Sequence, residues 1–403
     1  MKLKWFHKNI LLRAIVFIFP ISILIYDFTA SKLNTYGETG FATPMVVFLF
    51  LLASIISYKN RKFLHFREIK YVVLFFLLSM PAYMMSTFIS VESFVRYFAL
   101  IAFVPLGFMS GISWAYRFNL LESRNKDRLL TVFMMPAIIA AAVIASSTIF
   151  VLFEDEEDSR DYVFGIVLFL PLLLYYKKNI WSIIMLTIAS YICIISTKRT
   201  GMLCVGSIMA FLFLIKVGVK KVTFSRIVKL LIVAFLVVFI ANKYLPDLQS
   251  QWEASIERFD EMDDDSNEAR VVKYGRVLNN LQSANIFTLF FGNGCYASVQ
   301  SFGSPVHNDW LEIAFDYGIL PLFCVIVLFY SLLVRGFKAV RKDFSSSMAL
   351  LATLLVFLIT TMGNCMFTNY ADVFVLMFTL GFALANMRIQ CKNKSILACV
   401  YNK

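Results

Sequence analysis

The stretch that decides the fold reads Ser304-Pro305-Val306-His307-Asn308-Asp309-Trp310-Leu311-Glu312-Ile313-Ala314-Phe315-Asp316-Tyr317-Gly318, and a long apolar run begins directly after it at Ile319. The segment is polar and acidic, whereas the run that follows has the composition of a membrane-spanning helix, which needs ~20 mostly apolar residues. Similar apolar runs recur along the chain. We therefore expect the segment to lie at one face of a helical membrane protein, with the rest of the chain anchoring or facing it.

The composition supports this class of protein. The chain has 403 residues, of which 60% are hydrophobic and 16% charged, and its mean hydropathy is +0.74. Soluble domains are roughly half apolar, so these values predict an all-α polytopic membrane protein. The net charge of +12 does not indicate a nucleic-acid partner, because the basic residues fall in short loops that set topology. The 7 cysteines include no Cys-x-x-Cys pair and predict neither a disulfide framework nor a metal site.

Twelve apolar windows are predicted to cross the membrane, several of them short: 10–28, 43–58, 71–90, 94–114, 129–152, 162–176, 180–196, 201–217, 228–244, 319–334, 348–364 and 373–387. Basic residues concentrate in alternate connecting segments, so the positive-inside rule places both termini in the cytoplasm. The first window has a basic flank but no small-residue cleavage site, which favours a retained span over a signal peptide.

Three regions follow from these windows. Residues 1–244 carry spans one to nine, residues 245–318 form a large loop on the opposite side, and residues 319–403 carry the last three spans and a cytoplasmic tail. Only this loop is long enough to hold its own structure. Its acidic run 260–268 is predicted to be solvated and mobile in preference to binding a cation, and a helix is predicted from Arg270 to Ser283. The glycine turn at 291–295 is suited to bring backbone amides close to a ligand.

A helix is predicted to begin at Ser304, because serine is a good N-cap and the proline after it suits the first helical position. His307 then falls at the third helical position. There the positive field of the helix N-terminus keeps the imidazole neutral and able to accept a proton. Asn308, Glu312 and Asp316 share one face of such a helix. The alternative interpretation is an interfacial helix whose acidic face is solvated.

One histidine is available for proton transfer on the loop side. Of the 3 histidines, His7 and His65 lie among basic residues predicted to be cytoplasmic. Proton transfer at neutral pH on the opposite face therefore falls first to His307. Three nearby acids are candidate catalytic partners, as orienting groups or substitutes: Asp309, Glu312 and Asp316. The alternative is a histidine that only caps its helix.

Several cations are placed against the positive-inside bias. Lys198 and Arg199 stand in a tight turn between two predicted spans, Arg96 lies near the outer end of its span, and Arg270 lies in the loop. Guanidinium groups bind phosphate bidentately, whereas lysine acts as a point charge. The candidate residues for binding a diphosphate are Arg199, Arg270, Arg96, Lys198 and Asn308. The alternatives are that Arg96 reaches to the membrane interface and that Arg270 pairs with the acidic run.

A neutral base, arginines and a location beside the membrane suggest that a lipid-linked phosphate or diphosphate leaves while a hydroxyl attacks. Three landmarks then resemble the O-antigen ligase and polymerase superfamily in order and spacing: residues 196–201, ending in Lys-Arg-Thr-Gly; residues 270–294, ending in Gly-Asn-Gly; and residues 307–318, with His-Asn-Asp and Asp-Tyr-Gly. Outside residues 196–318 the likeness is one of hydropathy. The chain looks most like a bacterial Wzy-like O-antigen polymerase.

This resemblance implies a metal-independent, cofactor-free, inverting membrane glycosyltransferase of the GT-C type at the periplasmic face of the inner membrane. It would join undecaprenyl-diphosphate-linked repeat units, which serve as donor and acceptor, and it would meet membrane lipids and a chain-length regulator as partners. The resemblance makes His307 the general base, while Arg199 and Arg270 would hold the donor diphosphate. Thr200 departs slightly from the Lys-Arg-Gly pattern of polymerases.

Two other functions remain open from the sequence. An O-antigen ligase shares these landmarks and transfers the glycan to lipid A core. A flippase or other transporter of lipid-linked oligosaccharides also suits twelve spans. Transporters, however, usually show internal repeats and charged or broken helices at mid-membrane. Here the polar residues concentrate in one asymmetric loop, which favours an enzyme.

Overall fold

The computed structural model describes residues 42–59, 65–88, 90–121, 125–131, 167–176, 179–195, 199–217 and 265–401. Within these ranges every regular element is helical and no β-strand occurs. The predicted all-α fold class is therefore confirmed.

The α-helices in chain order are α1 (Ala42–Lys59), α2 (Ile69–Met85), α3 (Val91–Asn119), α4 (Asn179–Ile195), α5 (Arg199–Val217), α6 (Asp265–Ser283), α7 (Ile286–Phe291), α8 (Ala297–Phe302), α9 (Asp309–Asp316), α10 (Ile319–Ala339), α11 (Phe344–Gly363) and α12 (Tyr370–Tyr401). Two 3-10 helices occupy Leu170–Tyr175 and Met366–Thr368. The apolar helices begin within a few residues of the predicted windows, because long hydrophobic runs need no tertiary information to be recognised.

Some of these helices have the length and composition of membrane spans. Four are long and apolar enough to cross a membrane: Ser93–Asn119, Ile319–Ala339, Phe344–Gly363 and Asp372–Lys394. Two shorter apolar helices are Ile69–Met85 and Thr200–Ile215. Together they support a helical polytopic membrane protein. The windows 10–28, 228–244 and most of 129–152 lie outside the described residues, so the count of twelve spans and the three-region division remain predictions.

One predicted span differs from the structure over its described part. The window 162–176 was expected to be a continuous α-helix, but Leu170–Tyr175 forms a buried 3-10 helix that ends in extended backbone at Tyr176. Pro171 stands at the start of this helix. Proline lacks an amide proton and so opens a new helical turn more readily than it continues an old one.

The most extensive helix pair described is α3 with α12. Their backbones approach closely at glycines. A Cβ on Gly111 would meet the Phe378 carbonyl oxygen at 2.0 Å, and a Cβ on Gly381 would meet the Phe108 carbonyl oxygen at 2.1 Å. Small residues at such crossings allow close van der Waals packing, which drives helix association in membranes.

Polar contacts tie the helices at the end of the bundle away from α6 to α9. Asn119 donates to Asn386 Oδ1 at 2.8 Å, and Gln390 donates to Asn119 Oδ1 at 2.6 Å. The buried carboxylate of Glu68 forms an ion pair with Arg335. These contacts hold α2, α3, α10 and α12 together and leave the other end to carry the polar loop.

The acidic run 260–268 is only partly as predicted. Helix α6 begins at Asp265, so the last part of the run is helical and not a mobile loop. Residues 260–264 lie outside the described residues.

Candidate functional site

Helices α6 to α9 form a layer across one end of the bundle. Helix α7 contacts α2 and α10, and α9 contacts α10 and α11. The Cys295 amide donates to Ser86 Oγ at 2.7 Å, and the Tyr296 ring stacks on Tyr97 with centroids 5.6 Å apart. The layer is therefore docked on the ends of the membrane helices and does not stand apart as a free domain.

Helix α9 is enclosed by this layer and the bundle. The Trp310 ring packs edge-on against Phe329 of α10 and Phe357 of α11, with centroids 6.3 Å apart in both pairs. On another side of α9, Phe315 packs on Phe302 of α8 at 5.3 Å. The acids of the helix, Asp309, Glu312 and Asp316, are buried as well. An interfacial helix with a solvated acidic face is therefore the wrong interpretation.

The helix begins later than the sequence predicts. Its N-cap is Asn308, whose Oδ1 accepts hydrogen bonds from the Trp310 and Leu311 amides at 3.1 and 3.2 Å. The prediction that Ser304 caps a helix with His307 in its first turn is wrong. Asparagine caps as well as serine, and His307 has a φ of 61°, in the left-handed region that does not continue a right-handed helix.

His307 stands just before the α9 N-cap, half-buried, where three elements meet. Its Nδ1 lies 3.3 Å from Cys365 Sγ, which follows α11. Its carbonyl oxygen accepts from the Tyr274 hydroxyl of α6 at 3.4 Å. The His307 backbone is therefore held by α6 and precedes α9, its ring lies against the turn between α11 and α12, and the residue is not in the first turn of a helix.

Asp309, the first residue of α9, joins this helix to the α11–α12 turn. Its Oδ2 and Oδ1 accept hydrogen bonds from the Met366 and Phe367 amides at 3.0 and 2.8 Å. Burial raises the pKa of Asp309 well above its usual value, the charge of Glu312 adds to this, and the two amide hydrogen bonds oppose it. Asp309 thus holds the turn that carries Cys365.

Glu312 holds the chain just before His307. Its Oε1 accepts a hydrogen bond from the Val306 amide at 2.7 Å. The residue is 2% exposed, and Oε2 has no hydrogen-bond partner in the described part of the chain. Burial raises the pKa of Glu312 to about 8, with a further rise from the charge of Asp316. The carboxyl therefore holds the backbone beside the histidine through its hydrogen bond with the Val306 amide.

Asp316, at the end of α9, anchors a different segment. Its Oδ1 and Oδ2 accept from the amide and hydroxyl of Ser298 at 2.7 and 3.1 Å, which fixes α8 against α9. Burial raises the pKa of Asp316 to about 7. Glu312 lies about one helical turn and the N-cap Asn308 about two turns before Asp316. The three residues therefore share a face as predicted, but each holds a different segment.

The glycine turn at 291–295 packs on the C-terminal end of α9. The Asn293 and Gly294 amides donate to the carbonyl oxygens of Phe315 and Asp316, each at 3.0 Å. The turn was expected to offer its amides to a ligand. These two amides are used within the protein, because the last carbonyls of a helix have no partner inside the helix and need other donors.

The predicted diphosphate-binding residues lie at this same end of the bundle where the structure describes them. Arg199 opens α5, and Thr200 beside it lies against Gly363, two residues before Cys365. The Arg199 side chain and all of Lys198 lie outside the described residues. Arg270 is exposed on α6, one turn before Tyr274, and Arg96 is half-buried near the start of α3. The Asn308 oxygen is engaged as the N-cap.

Two contacts at the site were not predicted from the sequence. One joins Cys365 to His307, and nothing in the sequence around Cys365 links it to residue 307. The other is made by Lys273, whose Nζ donates to Ser304 Oγ and to the Pro305 carbonyl. Both depend on contacts more than thirty positions apart, which periodicity does not predict. No cluster of three or more metal-ligating side chains occurs within the described ranges.

The apolar helices are those of a polytopic membrane protein. One end of the helix bundle carries a layer with a half-buried histidine and three buried acids, which form an enzyme-like site. A family model described as O-antigen ligase matches residues 183–326, a stretch that runs from α4 to α10 and includes the histidine and the acids. This supports an inner-membrane enzyme of the O-antigen ligase and polymerase superfamily, resembling membrane glycosyltransferases, and does not separate the two activities. No curated protein matches the chain.

Proposed function

We propose that this protein is an O-antigen polymerase that joins undecaprenyl-diphosphate-linked repeat units at the periplasmic face of the inner membrane. The single observation that carries the proposal is the position of His307, held where α6, α9 and the α11–α12 turn meet. In the predicted topology no other histidine lies on that side of the membrane. The family match over residues 183–326 supports the same class of reaction.

The reaction is an inverting glycosyl transfer. Nε2 of His307 takes the proton from the acceptor hydroxyl, whose oxygen forms a bond to the anomeric carbon of the donor sugar. The bond between that carbon and the diphosphate oxygen breaks on the opposite face, and the electron pair leaves with the undecaprenyl diphosphate. Attack from the face opposite the leaving group inverts the anomeric configuration.

The negative charge that develops on the diphosphate needs cations placed in advance. Arg199 and Arg270 supply bidentate guanidinium groups, and Lys198 and Arg96 add positive charge around them. The backbone of Arg199 lies at the same end of the bundle as His307, because the neighbouring Thr200 lies against Gly363, two residues before Cys365. Arg270 lies one helical turn from Tyr274, which contacts His307.

The acids play supporting parts in this proposal. Glu312 fixes the Val306 amide, and Asp316 fixes Ser298, so each keeps one side of the site in place. Asn308 caps α9 and thereby orients the residue that precedes it. The enzyme uses no cofactor or metal for the transfer. Its partners are the lipid-linked donor and acceptor, the surrounding lipids and a chain-length regulator.

O-antigen ligase is the second candidate, because the matching family model carries that description. A gel of lipopolysaccharide from a strain lacking the gene separates the two. For a polymerase, the core is capped by a single repeat unit. For a ligase, the core is uncapped and the glycan remains on the lipid carrier, which would overturn the polymerase proposal. A flippase is the third candidate, and it predicts repeat units trapped on the cytoplasmic side.

A further inference from the structure

Cys365 lies directly against the ring of His307. Its Sγ is 3.3 Å from Nδ1, and the residue is half-buried in the turn that follows α11. A neutral imidazole accepts a proton at Nε2 only when Nδ1 carries the other proton. The group beside Nδ1 therefore decides which tautomer is favoured.

We propose that Cys365 is a positioning residue for His307. The Nδ1–H group donates to Sγ, and this bond holds the neutral ring in the tautomer that leaves Nε2 as the proton acceptor. The inference rests on the proposed function, because it concerns the base of that reaction. It assigns to a thiol the orienting part that an acid was expected to play.

The thiol is held by bonds that do not involve the imidazole. The Thr368 hydroxyl donates to the Cys365 carbonyl at 2.7 Å. Asp309 accepts from the next two amides of the turn, those of Met366 and Phe367. Because Asp309 stands two residues after His307, the thiol and the imidazole are fixed to the same frame.

The titratable groups around His307 are engaged with other atoms. Tyr274 donates to the His307 carbonyl, and Lys273 donates to Ser304 and Pro305 in the segment that precedes His307. Asp309 accepts from the α11–α12 turn, as described above, and Glu312 accepts from the Val306 amide. The acids that the sequence suggested as orienting partners thus accept hydrogen bonds from the backbone, whereas the Cys365 thiol lies 3.3 Å from Nδ1 of the ring.

The test compares Cys365→Ala and Cys365→Ser with the wild type in purified, lipid-reconstituted protein given lipid-linked repeat units. Cys391→Ala is a matched control, since Cys391 is also a half-buried free thiol but lies on α12 near the opposite end of the bundle. We expect Cys365→Ala to lower kcat by about 10–100-fold, the range seen when the hydrogen-bond partner of a metal-bound histidine is removed. The KM should stay near the wild-type value and the pH dependence of kcat should shift.

Cys365→Ser should recover most of the activity, because a hydroxyl also accepts the Nδ1–H bond. An unchanged kcat and pH profile in Cys365→Ala, with His307→Ala inactive, would overturn the role of Cys365 and leave the base intact. Full activity in His307→Ala would instead remove the proposed base. Equal loss in the alanine and serine variants, with unfolding temperatures unchanged, would also contradict the hydrogen bond and indicate a packing role.

Discussion

Asp309 accepts a hydrogen bond from the amide of Phe367 at 2.8 Å, across 58 positions of sequence, and so joins α9 to the turn between α11 and α12. Asp309→Asn replaces one accepting carboxyl oxygen with an NH2 group. This group is itself a donor and would face one of the two backbone amides that Asp309 now accepts from. We expect the substitution to lower the free energy of unfolding by about 1–3 kcal/mol, the cost of a buried group left unsatisfied. Thermal unfolding in detergent measures this, and an unchanged unfolding temperature would show that the junction does not matter for stability.

Gly318 stands where α9 turns into α10, with a φ of 91°, and a Cβ there would meet the Phe290 carbonyl oxygen at 2.2 Å. Gly318→Ala should destabilise the loop by more than the ~1–3 kcal/mol of an unfavourable backbone conformation alone, because a backbone atom must also move. Gly303→Ala is the matched control, since φ is 74° and the space is open. Equal losses of unfolding temperature in the two variants would contradict the close approach.

The buried acids predict that the loop is less stable at higher pH. Burial raises the pKa of Glu312 to about 8 and that of Asp316 to about 7, whereas the usual values are ~4. At a pH between the usual pKa of ~4 and the raised pKa values, these two carboxyls keep their protons in the folded protein but have lost them in the unfolded chain. The protein's free energy of unfolding therefore falls as the pH rises from about 4.5 to about 8.

Thermal unfolding followed by tryptophan fluorescence across that pH range tests this expectation, because Trp310 lies on the same helix. Glu312→Gln does not titrate and should flatten the decline. A decline as steep in Glu312→Gln as in the wild type would show that the pH dependence comes from other groups.

The sequence predicted the membrane helices well and the site only in part. Runs such as 319–334 and 348–364 are recognisable because their length and apolar composition follow from the membrane itself. The start of α9 was misplaced because Ser304 and Asn308 are comparable caps, and the choice depends on the left-handed backbone of His307 and on the Glu312 contact with Val306. The link to Cys365 depends on tertiary contacts, which local patterns do not contain.

Arg199 tests the geometry of diphosphate binding. Arg199→Lys should lower activity nearly as much as Arg199→Ala if the bidentate guanidinium is needed, because lysine keeps the positive charge but lacks the planar pair of N–H donors. The assay is the length of glycan made by each variant in a strain lacking the wild-type gene. Activity in Arg199→Lys equal to that of the wild type would reduce the role of Arg199 to simple charge.

Arg270 and Arg276 provide a comparison on one helix. Both are exposed on α6, but Arg270 lies one turn from Tyr274 on the side that meets the His307 segment. Arg270→Ala should shorten or abolish the glycan, and Arg276→Ala should leave its length unchanged. Similar losses in the two variants would indicate that the positive charge of the whole helix matters and that no single arginine binds the donor.

We propose His307 as the general base of a glycan polymerase. The most direct measurement is the product made from purified, lipid-linked repeat units by the wild type, by His307→Ala and by His65→Ala, whose exposed histidine lies at the other end of the bundle. We expect a ladder of long glycans from the wild type and from His65→Ala, and none from His307→Ala at the same protein concentration and unfolding temperature. A wild-type ladder from His307→Ala would show that His307 is not the base.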